Sequence, residues 1–375
     1  DTGATGVYWN RRYEPKIRTR DDEIARQLRQ AGLTVKTFKA SLLTEPEEIE
    51  NKSGLPFKVF TPFWKHCLKK LNASTPLPAP QKIKPPKVSL RTTELSELNL
   101  KPEQDWGHSM NEVWTPGEPG AASALELFIN DSFNEYDQNR NFPNTKGTSR
   151  LSPHLRFGEV SPRQIKHSLK QSGHTHWKES HYLSEIGWRE FGYHLLYHFP
   201  HTVREPLRPQ FNRFPWKENS PQLRSWQKGQ TGYPLVDAGM RELWATGWMH
   251  NRVRMVVASF LVKHLLIHWR HGADWFWDTL VDADLASNTQ GWQWTAGSGA
   301  DAAPYFRIFN PTTQAIKFDP EGNYIRKWVP ELRHVSAPDI FEPSKVDRGQ
   351  NYPSPIVNHS DARDRALKAY EKTKA

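Results

Sequence analysis

The stretch Trp248-Met249-His250-Asn251-Arg252-Val253-Arg254-Met255 opens an apolar-periodic segment that runs to about Trp269, and its spacing predicts one helix. Trp248, Asn251 and Met255 fall at i, i+3 and i+7 of that helix, with Arg254 adjoining them. An amide and a guanidinium on an apolar face destabilise a fold unless polar partners meet them. A bound cofactor would supply those partners, so the segment reads as a helix laid against a ligand. Arg252 projects to another side and is expected to be free to meet a phosphate.

Three further stretches extend this reading. Asp282-Ala283-Asp284-Leu285-Ala286-Ser287-Asn288 places Asp284 and Asn288 on one helical face, and Trp292 and Trp294 follow at once. Its carboxylates are too sparse for a calcium loop. Glu185, Trp188 and Arg189 lie at i, i+3 and i+4, which makes either a floor for a flat, hydrogen-bonding ligand or a surface ion pair beside a core indole. Gly147-Thr148-Ser149-Arg150-Leu151-Ser152 precedes a helix and offers hydroxyls, amides and a guanidinium, either for a phosphate or as a plain cap. Hydrolytic signatures such as HExxH, a P-loop and GxSxG are absent. Gly297-Ser298-Gly299-Ala300-Asp301-Ala302 fits a GxGxxA pattern, but it follows an aromatic stretch and not a strand, so it is set aside.

Moving outward, residues from about 121 to the end read as an all-α unit, with Ser152-Pro153 and Ser161-Pro162 each pairing a cap with a first-turn proline. Residues 72–120 carry Pro76, Pro78, Pro80, Pro85, Pro86, Pro102, Pro116 and Pro119, which leaves no room for long elements and predicts an extended linker. Residues 1–71 alternate strand and helix patterns: GVYWN at 6–10 as a short buried strand, and a helix over about 19–33 with Ile24, Leu28 and Ala31 on one face. A second strand follows at 35–39 and a helix at 62–71. Such alternation predicts an α/β unit with a parallel sheet. Two strands and about seventy residues make a meagre core, so preceding strands are expected to be missing. The fold class expected is a truncated, Rossmann-like α/β unit, a long linker and an all-helical unit.

Composition narrows the partners. An excess of 51 Lys+Arg over 41 Asp+Glu gives a net charge of +10, which suits a polyanion or a solvated basic surface. Cys67 is the only cysteine, so no internal disulfide forms, and a reducing, cytoplasmic setting is expected. No apolar run reaches the roughly 20 residues of a membrane helix. Sixteen Trp beside 18 Phe and 11 Tyr exceed what a core requires, because each buried indole wants a hydrogen-bond partner. The surplus points to stacking on flat ligands or electron transfer between rings, with an aromatic-rich core as the plain alternative.

Taken in order, GTSRLS (147–152), EIGWREF (185–191), TGYPLVDAGMRELWATGWMHNRVRM (231–255), DADLASNTQGWQW (282–294) and DAAPYFRIFNP (301–311) resemble the photolyase/cryptochrome family, most closely its bacterial CPD photolyases. The likeness runs from VYWNRRYEP onward. The resemblance implies an N-terminal parallel-sheet domain, a linker, and a helical domain holding one non-covalent FAD, active in its reduced form. It places FAD against Tyr136, Thr148, Ser149, Leu151, Ser152, Arg189, Asn251, Arg254, Asp282, Asp284 and Asn288. A DNA lesion would face Glu185, Trp188, Asn251, Met255 and Trp294, with Arg252 and Arg307 on the DNA. Trp292, Trp269 and Trp216 match an electron relay from the flavin to the surface.

The implied activity is light-driven repair of cyclobutane pyrimidine dimers by a monomer acting on DNA, without a metal. The lesion flips out of the duplex at a cost of about a few kcal/mol and stacks on Trp188 and Trp294, while Glu185 hydrogen-bonds a thymine edge. Members that repair (6-4) photoproducts use a histidine pair where this chain has Asn251 and Met255. Plant cryptochromes usually place Asp where Asn288 stands, and signalling members often carry a long C-terminal tail. The light-sensing cryptochrome is the alternative function. About the first hundred family positions are absent here, including half of the usual site for a folate or deazaflavin antenna chromophore, so retention of an antenna is left open.

Overall fold

The computed structural model describes residues 3–71, 75–84, 92–100, 102–305, 307–345 and 351–374. Strands β1 (Gly6–Asn10) and β2 (Thr34–Phe38) pair in parallel with Gly6 opposite Thr34 and Asn10 opposite Phe38. The crossover between them is helix α1 (Pro15–Gln30), as a parallel pair requires. α1 begins earlier than the acids at 21 and 22 suggest, because Pro15 sits at the first helical position and Arg18 N–H already donates to the Glu14 carbonyl. The expected burial of β1 is not found. Tyr8 is 57% exposed and Phe38 51%, and of α1 only Ala25 is buried. A two-stranded sheet is too narrow to shield both of its faces.

Helix α2 (Phe60–Lys70) docks this unit on the rest: Phe63, Trp64 and Cys67 join a core with Leu125, Tyr182, Leu183 and Phe191. In the linker, residues 72–74, 85–91 and 101 lie outside the described residues. The described residues between 75 and 100 hold only the short turn Leu95–Leu98, and Leu77 and Ile83 are 93% and 81% exposed. The linker's end is fastened where Ser109 Oγ and Trp114 Nε1 donate to the Ala245 and Thr246 carbonyls, each at 2.7 Å.

The helical unit contains α3 (Glu118–Leu127), α4 (Ser152–Phe157), α5 (Pro162–Gln171), α6 (His181–His198), α7 (Ser220–Gln227), α8 (Pro234–Thr246), α9 (Asn251–Ser259), α10 (Trp269–Thr279), α11 (Leu285–Ala296), α12 (Pro311–Phe318), α13 (Asn323–Trp328) and α14 (His359–Glu371). Its largest core gathers Trp226, Met240, Leu243, Val253, Phe260, Trp269, Trp292 and Tyr324. Ser161 forms a full capping box with Gln164 at the head of α5. Ser152 does not cap: α4 starts on it, with Leu151 in the cap position and no side-chain cap.

The single helix predicted from 248 to 269 is also divided. After α9 the chain widens into a π turn (Phe260–His264), Leu266 takes φ +55°, and His268 Nδ1 accepts from Arg270 N–H to open α10. Trp269 therefore begins a helix and does not end one.

Candidate active site

His250 precedes α9 and is fully buried; its Nδ1 accepts from Arg252 N–H at 3.2 Å. Burial, with Arg252 and Arg254 nearby, pushes its imidazole down to about 3, so it stays neutral and holds the helix start. Asn251 is exposed at the first position of α9, and Met255 is half-buried one turn on. Arg254 turns inward, donating from Nε to the Met249 carbonyl (2.7 Å) and from Nη2 to Asp282 Oδ2 (2.8 Å). The Asp282 carboxylate is 4% exposed and its other oxygen has no partner among the described residues. A buried acceptor that lacks a donor is what a cradle for a hydrogen-bonding ligand leaves open.

At the head of α11, Asp284 Oδ1 caps the helix by accepting from Ser287 N–H (2.8 Å), and Oδ2 accepts from the hydroxyl of Tyr193. Asn288 Nδ2 donates to the Ala273 carbonyl at 2.9 Å. On α6, Tyr182 donates its hydroxyl to Ser149 Oγ (3.1 Å), and Trp248 Nε1 donates to Ser152 Oγ (3.3 Å). These contacts close a ring. The 149–152 segment reaches α6 through Tyr182 and the start of α9 through Trp248; α9 reaches the 282–284 segment through Arg254; and that segment returns to α6 through Tyr193. Tyr136 and Leu151 are buried beside the ring, Tyr136 edge-on to Tyr182 at 5.3 Å, and Thr148 is half-buried.

The predicted face of α6 is only partly realised. Glu185 pairs with Arg140, whose guanidinium lies over Tyr136. Trp188 is 38% exposed and stacks on Phe60, with centroids 3.8 Å apart and planes 9° from parallel. Arg189 departs from this pair: it donates to the Ser41 carbonyl and lies 4.9 Å over the Tyr193 ring, so it ties α6 to the N-terminal unit. It also lines a recess of about 480 Å³ with Trp9, Arg12, Arg156 and Tyr193. Its neighbour Glu190, which carries no signal in the sequence, is fully buried and accepts from Leu43 and Thr44 N–H at 2.9 and 3.1 Å. Burial pushes its carboxyl up to about 7.

Arg252 is not free. Its guanidinium donates to Asn141 Oδ1, contacts the Met255 sulfur at 3.8 Å and lies 4.4 Å over the Phe318 ring. Desolvation, with Arg140 and Arg307 near, lowers its basicity. The reason is tertiary: residues far off in the chain supply an amide and a ring to its flank. Arg307 is exposed, with its guanidinium 5.8 Å from the Phe309 ring. Neither Arg140 nor Asn141 shows a helical or charge pattern that could single it out.

Of the three tryptophans expected in a relay, Trp269 and Trp216 are joined through His268, while Trp292 packs edge-on to Phe276 and Trp226. Trp292 is 2% exposed and packs against α10, where a Cβ on Gly272 would sit 2.0 Å from its ring. Trp269, one turn before Gly272, is 1% exposed. Its neighbour His268 lies 5.6 Å from it and 4.8 Å from Trp216, which sits in a loop but is half-buried against Phe214, not freely exposed as its polar stretch suggests. Trp294 is half-buried. Among the described residues, no group of His, Cys, Asp or Glu is arranged to hold a metal, and no helix is long and apolar enough to cross a membrane.

Comparison with known proteins places the whole chain in one family. Residues 182–372 match the FAD binding domain of DNA photolyase, and residues 1–81 match the DNA photolyase domain. A deoxyribodipyrimidine photo-lyase of Agrobacterium fabrum is 47% identical over all of this chain and 81% of its own length. Cryptochrome-1 of Arabidopsis thaliana is 38% identical over 98% of this chain and 57% of its own. The crystal structure of a bacterial class III photolyase from Agrobacterium tumefaciens superposes with a TM-score of 0.94 at 46% identity, covering 99% of this chain and 80% of that one.

Proposed function

Since this chain belongs to the DNA photolyase and cryptochrome family, we propose that it repairs cyclobutane pyrimidine dimers in DNA under light, as a carbon–carbon lyase that uses FAD. The observation that carries this reading is the ring of contacts joining the 149–152 segment, α6, α9 and the 282–284 segment, in which Asp282 keeps one buried oxygen without a partner among the described residues. Arg254, Asp282, Asn288, Asn251, Ser149 and Ser152 are the groups assigned to hold the cofactor, with Tyr136, Thr148 and Leu151 as walls. Arg189 and Asp284, tied to the Ser41 carbonyl and the Tyr193 hydroxyl, are assigned to the same cradle from its edge. The flavin that these residues would hold would supply, when reduced and excited by near-UV to blue light, a reversible one-electron donor for opening the cyclobutane ring.

The protein's own groups do the rest. Trp188 offers one free face, since Phe60 already holds the other, so little rotamer entropy is lost when a flipped pyrimidine stacks on it. Such stacking contributes about 1–3 kcal/mol per base, comparable with the cost of extrusion. Trp294 and Met255 complete the lesion pocket. Glu185, steadied by Arg140, accepts hydrogen bonds from a thymine edge. Arg307 meets a phosphate on the exposed surface; Arg252 acts from a fixed position and does not swing freely. Trp292, Trp269 and Trp216 are assigned the electron path from the flavin to the outside, with His268 between the last two. The recess beside Trp9, Arg12 and Arg189 is where an antenna chromophore would be sought.

The test is direct. Reduced, FAD-loaded protein is mixed with a dimer-containing oligonucleotide, illuminated, and the restored thymines are counted. Restoration that needs both light and FAD is expected. FAD bound and photoreduced with no thymine restored would favour a light-sensing cryptochrome.

A further inference from the structure

Lys263 is the least expected side chain in the bundle. It sits inside the π turn that follows α9, in a run buried from Val256 to Leu266, and is 1% exposed. The π turn is defined by Leu265 N–H donating five residues back to the Phe260 carbonyl at 3.1 Å. The added residue rotates the downstream chain by about 100° relative to a continuous α-helix. Lys263 Nζ donates to the backbone carbonyl of Arg307 at 3.1 Å and lies 5.2 Å from the Tyr305 ring. No carboxylate pairs with it among the described ion pairs, and burial pushes the amine down to about 7. A buried amine without a counter-ion destabilises a fold, and a methionine would fill the same space at lower cost. Stability does not account for an amine there, whereas the contact with Arg307 does.

The surroundings fit a clamp. Tyr305 stacks on Tyr370 of α14 with centroids 4.5 Å apart and planes 14° from parallel. The π turn is itself pinned to α14, where His264 Nε2 meets His359 Nδ1 at 2.9 Å and Arg365 donates to the His264 carbonyl at 2.6 Å. Arg307 N–H donates to the Pro304 carbonyl, so its backbone is held on both polar sides while its side chain stays exposed.

We propose that Lys263 is a positioning residue for DNA recognition: from inside the bundle its amine holds the Arg307 carbonyl and thereby fixes where the Arg307 guanidinium meets a phosphate. This rests on the reading of Arg307 as a DNA contact.

The experiment is a double-mutant cycle with Lys263→Met, Arg307→Ala and the pair, on FAD-loaded protein. It is read by anisotropy with dimer-containing and undamaged duplexes, alongside amide hydrogen exchange. Lys263→Met should keep its FAD and fold. It should weaken both duplexes by about three- to tenfold, the range one hydrogen bond supplies, and raise exchange at Arg307. The pair should bind no worse than Arg307→Ala alone, because Lys263 acts only through that residue. Additive losses, or binding unchanged in Lys263→Met while Arg307→Ala weakens it, would overturn the proposal. Should Arg307→Ala bind like the parent, the reading of Arg307 fails. The exchange measurement then still decides whether Lys263 holds the segment, and unchanged exchange refutes it. Lys263→Gln, which keeps an N–H donor, is measured beside Lys263→Met so that a folding failure of one leaves the other. Exchange between that of the parent and Lys263→Met is expected for it, and parental exchange in both counts against the clamp.

Discussion

Removing the Arg254 guanidinium separates the fold's need for this pair from the cofactor's. Arg254→Met leaves the Asp282 carboxylate, 4% exposed, without its donor on Oδ2, while Oδ1 already has no partner. A buried charge stripped of its counter-ion costs about 3–5 kcal/mol. That falls at the lower end here, because Arg254 itself is 24% exposed and water can reach the vacated side. Replacing both groups, as in Arg254→Met with Asp282→Leu, removes the orphan and should return apo stability to within about 1–2 kcal/mol of the parent. FAD should bind to neither variant stoichiometrically, since the double change also deletes the polar groups of the cradle. Urea unfolding of the apo forms and flavin absorbance after reconstitution and gel filtration measure the two effects. A double variant that binds FAD as tightly as the parent would refute the placement of the pair in the cradle. A single variant that loses under about 1 kcal/mol would show the pair to be solvent-screened.

Other outcomes rest on the same geometry. Trp292→Phe should block photoreduction of oxidised FAD by an external reductant, yet leave repair by pre-reduced enzyme largely intact; unchanged photoreduction would rule out the relay. Trp188→Ala should abolish most of the preference for damaged DNA. Arg307→Ala should weaken damaged and undamaged duplexes alike and reduce the magnitude of the salt slope by about 0.9; titrations at several salt concentrations check both. Glu190, whose carboxyl is raised to about 7 when folded, binds more protons folded than unfolded between roughly pH 4.5 and 7, so its contribution to stability is lost as pH rises through that window. Glu190→Gln should therefore gain stability relative to the parent on going from pH 5 to pH 7.5, by up to about 3 kcal/mol. A difference independent of pH, in denaturation at both values, would contradict this.

Much of the fold and of the cradle is legible in the sequence, for reasons that differ by residue. Gly6–Asn10 reads with its true bounds because a short apolar run flanked by turn residues leaves few choices. Arg254 announces itself as a polar group on an apolar face, and the partner it finds is Asp282, which only the family resemblance singles out. Three readings fail through tertiary contact. Nothing local marks the break after Ser259, since the run Phe260–Leu265 contains no Gly or Pro; packing against Tyr305 and α14 shapes the π turn. Arg252 reads as free because Asn141 and Phe318, which hold it, lie 111 residues before and 66 after. Arg189 shares a helical face with Glu185 by counting alone, yet a long side chain can leave its stripe, and Ser41 draws it toward the sheet.

The ring of contacts around the cradle also fixes when the cradle can exist during synthesis. Its links span 33 residues from Tyr182 to Ser149, 96 from Trp248 to Ser152, 28 from Arg254 to Asp282 and 91 from Tyr193 to Asp284. No link is local, and the last closes only once Asp284 has left the ribosome. Chains arrested before that point can bury the α2–α6 core, because its residues lie between Leu43 and Leu195 with the single addition of Ala300. They hold only part of the flavin's binding groups. Cofactor loading is then a late event that acts on a nearly finished chain and stabilises it by mass action, and the interval before it is when the nascent protein is open to proteases and to aggregation.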